Sequence, residues 1–228
     1  MLKTNFFIDE FLGGGLMRDT ITCFYGPPAS GKTTISLIYI VACLKEGKKV
    51  LYVDTEGGFS IERLKQLGGE ELNLENLIVF KPKNFEDQKK IIASLSKEIK
   101  NGKTIGLVVI DSLVMLYRLK LGDEPQRTNT DLAQQLQQLT EVSRNFHIPI
   151  LVTNQMYNDF ETKESRMVGG MLIEYWSKTI VEIEKEQDVR KLILKKHKFE
   201  KEGKEINFEI KNDGIFPVKS KGFNFFKN

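Results

Sequence analysis

Gly26-Pro27-Pro28-Ala29-Ser30-Gly31-Lys32-Thr33 is the stretch that decides the fold. It fits the P-loop pattern of two glycines separated by four residues and followed by lysine and a hydroxyl side chain. The β-branched and aromatic residues 21–25 precede it and predict a strand, whereas residues 33–44 have the composition of a helix. Because the pattern lies between a strand and a helix, it predicts an α/β protein with a phosphate site.

The chemistry of such a loop depends on its main chain. Small side chains let successive N–H groups and the helix N-terminus point at phosphate oxygens. Lys32 would neutralise the β- and γ-phosphates, Thr33 would bind Mg²⁺ through its hydroxyl, and Thr34 would complete the nucleotide contacts. ATP and Mg²⁺ are therefore the expected cofactors. A chance glycine turn is the alternative, and the strand and helix on either side argue against it.

Composition places the chain among globular proteins. It has 228 residues, of which 40% are hydrophobic and 29% charged, and we expect one domain over residues 1–228. Neither a bilayer-spanning run nor a secretion signal is evident, so a cytoplasmic protein without membrane contact is expected. The formal net charge of +3 is small, so affinity for nucleic acid would require local clusters of lysine and arginine.

Strands and helices alternate through the first three quarters of the chain. Apolar runs at residues 49–54, 105–110 and 148–154 predict strands, and helical periodicity begins after Asn84 and again after Thr130-Asp131. This order predicts a mostly parallel twisted sheet flanked by helices, with its ligand site at the carboxyl ends of the strands. From about residue 177 to 228, short strands without helices predict antiparallel hairpins that continue the sheet.

Three polar side chains follow predicted strands and are candidates for chemistry. Asp111 would orient the water shell of Mg²⁺, and an ordinary strand-end cap is its alternative. Glu56 would act as general base toward the attacking water, unless it is simply an exposed loop glutamate. Gln155 would sense the γ-phosphate and relay its presence into the following loop, with plain capping as the alternative.

A basic segment near the C-terminus, together with two aromatic groups, suggests a nucleic-acid interface. Its basic residues are Lys195, Lys196, His197, Lys198, Lys201 and Lys204. Phosphate contacts by lysines give salt-sensitive affinity that is independent of sequence, although lysines also protect exposed strand edges from aggregation. Tyr157 and Phe160 are candidates for base stacking, with a mobile loop that carries incidental aromatics as the alternative. Phe223, Phe225 and Phe226 could stack on bases or dock on a neighbour, but they are expected to pack on the chain's own core.

Four segments give the chain a resemblance to the RadA-type recombinases of archaea and eukaryotes. They are Leu51-Tyr52-Val53-Asp54-Thr55-Glu56-Gly57-Gly58-Phe59, Val152-Thr153-Asn154-Gln155, Gly169-Gly170 and Phe11-Leu12-Gly13-Gly14-Gly15-Leu16. The resemblance implies a RecA-like fold, with Glu56 as the catalytic glutamate and Asp111 as the Walker B aspartate. It also implies that Gln155 couples the nucleotide to a DNA-binding loop at residues 156–168, which contains Tyr157 and Arg166. Arg127 falls near the family's other DNA-contacting region.

The chain departs from that family in one respect. RadA-type recombinases carry a helix-hairpin-helix domain and a polymerisation element before the ATPase core, whereas here the core begins almost at Met1. Together with Lys195-Lys196-His197-Lys198, this makes the chain similar to a short archaeal paralogue within the family. That similarity implies DNA binding, weak ATPase activity and no strand exchange. It also implies modulation of a RadA-type recombinase or a Holliday-junction resolvase, and it is compatible with a homodimer.

Two other functions agree with the same motifs. The chain could be a DNA-stimulated motor or recombinase whose missing module comes from another protein. It could instead be a KaiC-like signalling ATPase that binds no DNA, because P-loop folds host many functions.

Overall fold

A computed structural model describes residues 1–101, 104–122, 124–158 and 165–218, and a single sheet runs through this part of the chain. The strands are β1 Ile21–Gly26, β2 Lys49–Asp54, β3 Leu77–Phe80, β4 Ile105–Asp111, β5 Ile150–Asn158, β6 Ser165–Met167, β7 Thr179–Glu186, β8 Val189–Lys196, β9 Glu205–Lys211 and β10 Gly214–Pro217. The helices are α1 Phe7–Phe11, α2 Lys32–Lys45, α3 Ile61–Gly68, α4 Phe85–Asn101, α5 Met115–Lys120, α6 Pro125–Phe146 and α7 Gly170–Trp176, with a 3-10 turn at Leu74–Asn76.

The order of strands across the sheet is β10-β9-β8-β7-β1-β5-β4-β2-β3, and β6 pairs with β5 outside this row. Within this row, β3, β2, β4, β5, β1 and β7 are parallel to one another, and β7, β8, β9 and β10 form antiparallel pairs. The prediction of a mostly parallel sheet continued by C-terminal hairpins is therefore confirmed. The carboxyl ends of β1, β2, β4 and β5 share one edge, which we call the nucleotide edge.

The sheet has a hydrophobic core on each face, because successive side chains of a strand point to opposite faces. Phe24 of β1 packs with Tyr39 of α2 in one core, whereas Cys23 packs with Leu136 of α6 in the other. Cys23 and Cys43 are both free and buried, as expected of small apolar side chains. Among the described helices, none combines the length and apolarity needed to cross a membrane.

Two expected boundaries are wrong. Helix α6 begins at Pro125, not after Thr130-Asp131, because proline is well suited to the first helical position and the polar turn that follows it lies at the surface. Strand β5 continues to Asn158 and pairs with β6, so the expected loop at 156–168 begins and ends as an antiparallel hairpin. The expected N-cap of α4 is confirmed, because Asn84 Oδ1 accepts from the main-chain N–H of Asp87 at 2.9 Å.

Candidate nucleotide site

The P-loop connects the buried strand β1 to α2, and its backbone requires glycine at both ends of the motif. Gly31 has a φ of 104°, and a Cβ placed there would lie 2.5 Å from Cδ1 of Ile210 on β9. A Cβ at Gly26 would lie 2.4 Å from the carbonyl oxygen of Ile183. The antiparallel strands β7 and β9 therefore pack directly against the loop, and side-chain bulk at either glycine would force them away.

Lys32 is held in place by the loop itself. Its Nζ donates to the carbonyl oxygens of Gly26 at 2.9 Å and Pro27 at 2.8 Å, and the residue is only 9% exposed. Burial lowers the pKa of Lys32, whereas the nearby carboxylates of Glu56 and Asp111 raise it. The ammonium group is thus poorly hydrated, which strengthens its attraction for a phosphate oxygen.

Asp111 lies at the end of β4, where three hydroxyl groups surround its carboxylate. Thr153 Oγ1 donates to it at 2.5 Å and Tyr52 OH at 3.0 Å, and the hydroxyl of Thr33 also hydrogen-bonds to it. Burial raises the pKa of Asp111, and these three hydrogen bonds oppose the increase. The P-loop threonine and the strand-end aspartate, 78 positions apart in the sequence, are therefore neighbours in the fold.

These donors fit a magnesium ion that is shared with phosphates. Magnesium prefers hard oxygen ligands and is usually bound by one or two protein groups plus substrate phosphates and water. Thr33 and Asp111 supply a hydroxyl and a carboxylate oxygen. No group of three or more His, Cys, Asp or Glu side chains suited to a metal occurs within the described ranges, so a site built from protein ligands alone is not found there.

Glu56 and Gln155 meet at the mouth of the loop. Gln155 Nε2 donates to Glu56 Oε1 at 2.8 Å and contacts the sulfur of Met115 at 3.7 Å. Gln155 stands opposite Gly26 in the pairing of β1 with β5, which explains its position beside the P-loop. The strand-end residues proposed from the sequence are thus brought together, with Glu56 and Asp111 both close enough to influence Lys32.

The turn that carries Glu56 is fixed by its neighbours in the sequence. Asp54 accepts from the main-chain N–H groups of Gly58 and Phe59, each at 3.2 Å. The hydroxyl of Thr55 donates to the carbonyl oxygen of Ser112 at 2.7 Å and accepts from the main-chain N–H of Ser112 at 2.8 Å. The turn that carries Glu56 is therefore hydrogen-bonded to the residue that follows Asp111. Sequence reasoning assigned no role to Asp54 or Thr55.

Three arginines that sequence reasoning missed line the same cleft, which has a volume of about 690 Å³: Arg63, Arg118 and Arg190. Arg63 donates to the carbonyl oxygens of Lys211 at 2.9 Å and Asn212 at 2.8 Å, and Arg190 donates to that of Asp188 at 2.7 Å. The Arg118 side chain makes no hydrogen bond or ion pair with any residue in the described parts of the chain. No motif could have found them, because they come from α3, α5 and β8.

With this geometry in view, the comparisons decide the family. The Rad51 family model matches residues 3–218. This chain belongs to the Rad51 family. The expected resemblance to RadA-type recombinases and the RecA-like fold are thereby confirmed.

Similar members of the Rad51 family carry the name RadB. The DNA repair and recombination protein RadB of Methanosphaera stadtmanae is 39% identical, over 94% of this chain and 95% of its own length. The RadB protein of Methanococcus maripaludis is 41% identical, over 91% of this chain and 96% of its own length. A solved structure, the crystal structure of the RadB recombinase, has a TM-score of 0.80 and 36% identity, covering 96% of this chain and all of that one. The predicted resemblance to an archaeal paralogue of the RadA-type recombinases is confirmed: this is a RadB-type member.

The DNA contacts expected of a Rad51-family member fall partly on the nucleotide edge. Tyr157 and Arg166 are paired across the β5–β6 hairpin and are both exposed. Arg127, in the first turn of α6, forms an ion pair with Glu124 at 3.1 Å. Phe160, Phe223, Phe225 and Phe226 lie outside the described residues. The hairpin therefore presents one aromatic and one basic side chain directly beyond Gln155.

The basic segment lies on the opposite edge of the sheet, which we call the far edge. Lys196 pairs with Ile180 at the start of β7, far from the end of β1. Lys195 forms an ion pair with Glu182 at 3.2 Å, and Lys196 donates to the carbonyl oxygen of Glu174. His197 Nδ1 accepts from the main-chain N–H groups of Phe199 and Glu200, so it shapes the turn after β8.

Proposed function

We propose that this RadB-type protein is an ATP-binding accessory protein of DNA repair and homologous recombination. In this function ATP acts chiefly as a conformational ligand and is hydrolysed slowly. The observation that carries the proposal is the hydrogen bond from Gln155 to Glu56 at the root of the β5–β6 hairpin. It gives one side chain access to both the nucleotide cleft and a candidate DNA-binding element.

Nucleotide binding follows from the geometry of the P-loop. The main-chain N–H groups of residues 29–33 would hold the phosphates, and Lys32 would exchange its two carbonyl contacts for β- and γ-phosphate oxygens. Thr33 and Asp111 would hold Mg²⁺, which supplies positive charge to offset the charge that builds on the phosphates during hydrolysis. Burial of Asp111 favours such a cation, because an unpaired buried carboxylate is costly.

Gln155 would act as a switch because the N–H that it donates to Glu56 must leave that carboxylate before it can bond to a γ-phosphate oxygen. If Gln155 turns to a γ-phosphate oxygen, Glu56 is released to accept the proton of an attacking water. The movement reaches the hairpin through the main chain, since Val168 N–H donates to the carbonyl oxygen of Gln155 at 3.0 Å. Asn154 Nδ2 donates to the carbonyl oxygen of Val168 at 2.9 Å and so holds the same end of the β5–β6 hairpin. ATP would thus change DNA affinity by favouring one of two hairpin positions.

The finer parts of the proposal rest on family resemblance. They are weak ATPase activity, the lack of strand exchange, and modulation of a RadA-type recombinase or a Holliday-junction resolvase in the cytoplasm. DNA binding is supported by the named function of the relatives and by the exposed Tyr157, Arg166 and Lys198. A homodimer is compatible with these features.

The test measures ATP hydrolysis with and without single-stranded DNA, and DNA binding with and without ATP, across a salt series. We expect slow hydrolysis, DNA affinity that falls steeply with salt, and a measurable effect of ATP on that affinity. Strong DNA stimulation of turnover together with filaments would favour a recombinase or motor. Absence of DNA binding at low salt would favour a signalling ATPase and refute the proposal.

A further inference from the structure

A second cleft, of about 660 Å³, lies on the far edge of the sheet and has nearly the volume of the nucleotide cleft. Its walls come from five separate parts of the chain: the N-terminal Met1, the loop before β1, the end of α6, the residue before β7 and the turn after β8. The charged and aromatic side chains that line it are Arg18, Asp19, Arg144, Lys178, Lys198 and Phe199. Four cations from distant sequence positions therefore share one depression.

The charges of this cleft are not balanced locally. Arg18, Arg144, Lys178 and Lys198 are all exposed, and none forms an ion pair with a residue in the described ranges. The one carboxylate in the cleft, Asp19, contacts His147 Nδ1 at 2.8 Å. Other lysines of the C-terminal hairpins behave differently, because Lys191, Lys195, Lys204 and Lys211 each lie within 4 Å of a glutamate. A solubilising surface intersperses both signs of charge, whereas this cleft concentrates one sign.

An exposed aromatic ring adjoins these cations. Phe199 is 69% exposed, and Lys198 Nζ lies 5.0 Å from the centre of its ring. The turn that carries Phe199 is held by its own N–H, which donates to His197 Nδ1 at 3.1 Å. A ring held on an ordered turn beside cations offers a stacking platform for a base.

We propose that this cleft binds the sugar-phosphate backbone of single-stranded nucleic acid, with Phe199 stacking on one base. The inference rests on the proposed DNA-binding function and adds to the basic segment three cations that lie outside it. It makes Lys198 one member of a four-cation site, together with Arg18, Arg144 and Lys178. A cleft lined by cations suits a phosphate chain, and the ring would distinguish a base-bearing strand from other polyanions.

The experiment compares two doubly substituted proteins that lose the same charge. R144A/K178A removes two cleft cations, and K90A/K97A removes two exposed lysines of α4 as the matched control. Binding of a fluorescent oligothymidylate is measured from 50 to 200 mM salt, and circular dichroism and thermal melting check folding. We expect R144A/K178A to bind roughly tenfold more weakly at low salt, with a log-log salt slope flatter by about 1.4, since each lost single-strand contact removes about 0.7. K90A/K97A should stay within twofold of the wild type.

The third variant, F199A, separates nucleic acid from other polyanions. We expect it to weaken oligothymidylate binding about tenfold and to leave binding of inorganic polyphosphate unchanged. Equal affinities of R144A/K178A and K90A/K97A for the oligonucleotide would overturn the cleft, while wild-type binding would still uphold the proposed function. An unchanged F199A would overturn the stacking assignment. If the wild type binds no oligonucleotide at all, the proposed function fails first.

Discussion

Gln155 Nε2 lies 2.8 Å from Glu56 Oε1, so the side chain expected to sense the γ-phosphate is bonded to the one expected to activate water. The two residues are 99 positions apart: Glu56 follows β2 and Gln155 lies within β5, and these two strands are not adjacent in the sheet. In the proposed mechanism this bond would couple sensing to catalysis, because each role would require the two side chains to separate.

Replacing Glu56 by Gln tests its role as the base. The amide keeps the length of the side chain and an oxygen for Gln155, but it cannot take a proton. We expect ATP binding to persist and hydrolysis to fall at least about a hundredfold, or to the detection limit. Phosphate release at saturating ATP measures the change, with E62Q on the exposed face of α3 as the control. Hydrolysis equal to that of E62Q would remove Glu56 from the mechanism.

Replacing Gln155 by Ala tests the switch. The variant lacks the amide that chooses between Glu56 and a phosphate, so ATP should no longer alter DNA affinity. Affinity measured without ATP should match the wild type, because the hairpin pairing uses main-chain groups. Anisotropy titrations with and without ATP check this, and Q137A on the surface of α6 is the control. A full ATP effect in Q155A would contradict the switch.

Replacing Lys32 by Ala should abolish stabilisation by ATP and Mg²⁺. For a ligand at a hundred times its Kd, the wild type would gain about 2.7 kcal/mol, which appears as a higher melting temperature. The variant itself should still fold, although it loses the ammonium group together with its hydrogen bonds to the carbonyl oxygens of Gly26 and Pro27. K45A, at the exposed end of the same helix, should keep the full increase. An equal increase in K32A would show that the triphosphate binds elsewhere.

The contact between the P-loop and β9 predicts a rescue experiment. G31A should cost about 1–3 kcal/mol for the left-handed backbone and a similar amount for overpacking against Ile210. I210V removes the Cδ1 atom that lies 2.5 Å from the added Cβ, so the double variant should recover the overpacking part. Chemical denaturation of both single variants and the double variant measures it. Strict additivity would mean that the two residues do not touch.

Stability should depend on pH through His197. Burial lowers the pKa of His197 from 6.5, with Glu200 opposing and Lys204 reinforcing the shift. Below pH 6.5 the unfolded chain therefore binds a proton that the folded chain does not, so stability decreases as pH falls. We expect the wild type to lose more stability between pH 7.5 and 5.5 than H197N, which keeps an acceptor near Nδ1. An equal fall in melting temperature between pH 7.5 and 5.5 in the wild type and in H197N would refute this.

Much of the site could be predicted because its chemistry is local in the sequence. The P-loop is a continuous motif, and Asp111, Glu56 and Gln155 each follow an apolar run, which places them at the carboxyl edge of a parallel sheet. Arg63, Arg118 and Arg190 could not be found in this way. They reach the cleft through packing of α3, α5 and β8, and nothing in their neighbouring sequence indicates that position.

The fold, like the site, has parts that the sequence predicts and parts that it does not. Strands β3 and β10 were not predicted, because four residues contain too little periodicity to be distinguished from a loop. The extension of β5 to Asn158 depends on pairing with β6, which a reading of single segments cannot foresee. The placement of Lys195 to Lys198 on the far edge follows from strand order and direction, information that belongs to the whole sheet.

The contact of Arg63 with the β9–β10 turn has a consequence for how this protein tolerates change. The guanidinium group grips two carbonyl oxygens, those of Lys211 and Asn212, and every amino acid supplies the same carbonyl. The turn is therefore free to vary in its side chains without loosening its hold on α3. The arginine has no such freedom, since lysine lacks the forked donors that span two acceptors. This contact therefore depends on the identity of residue 63 and on the path of the backbone at residues 211 and 212, but not on the side chains of the turn.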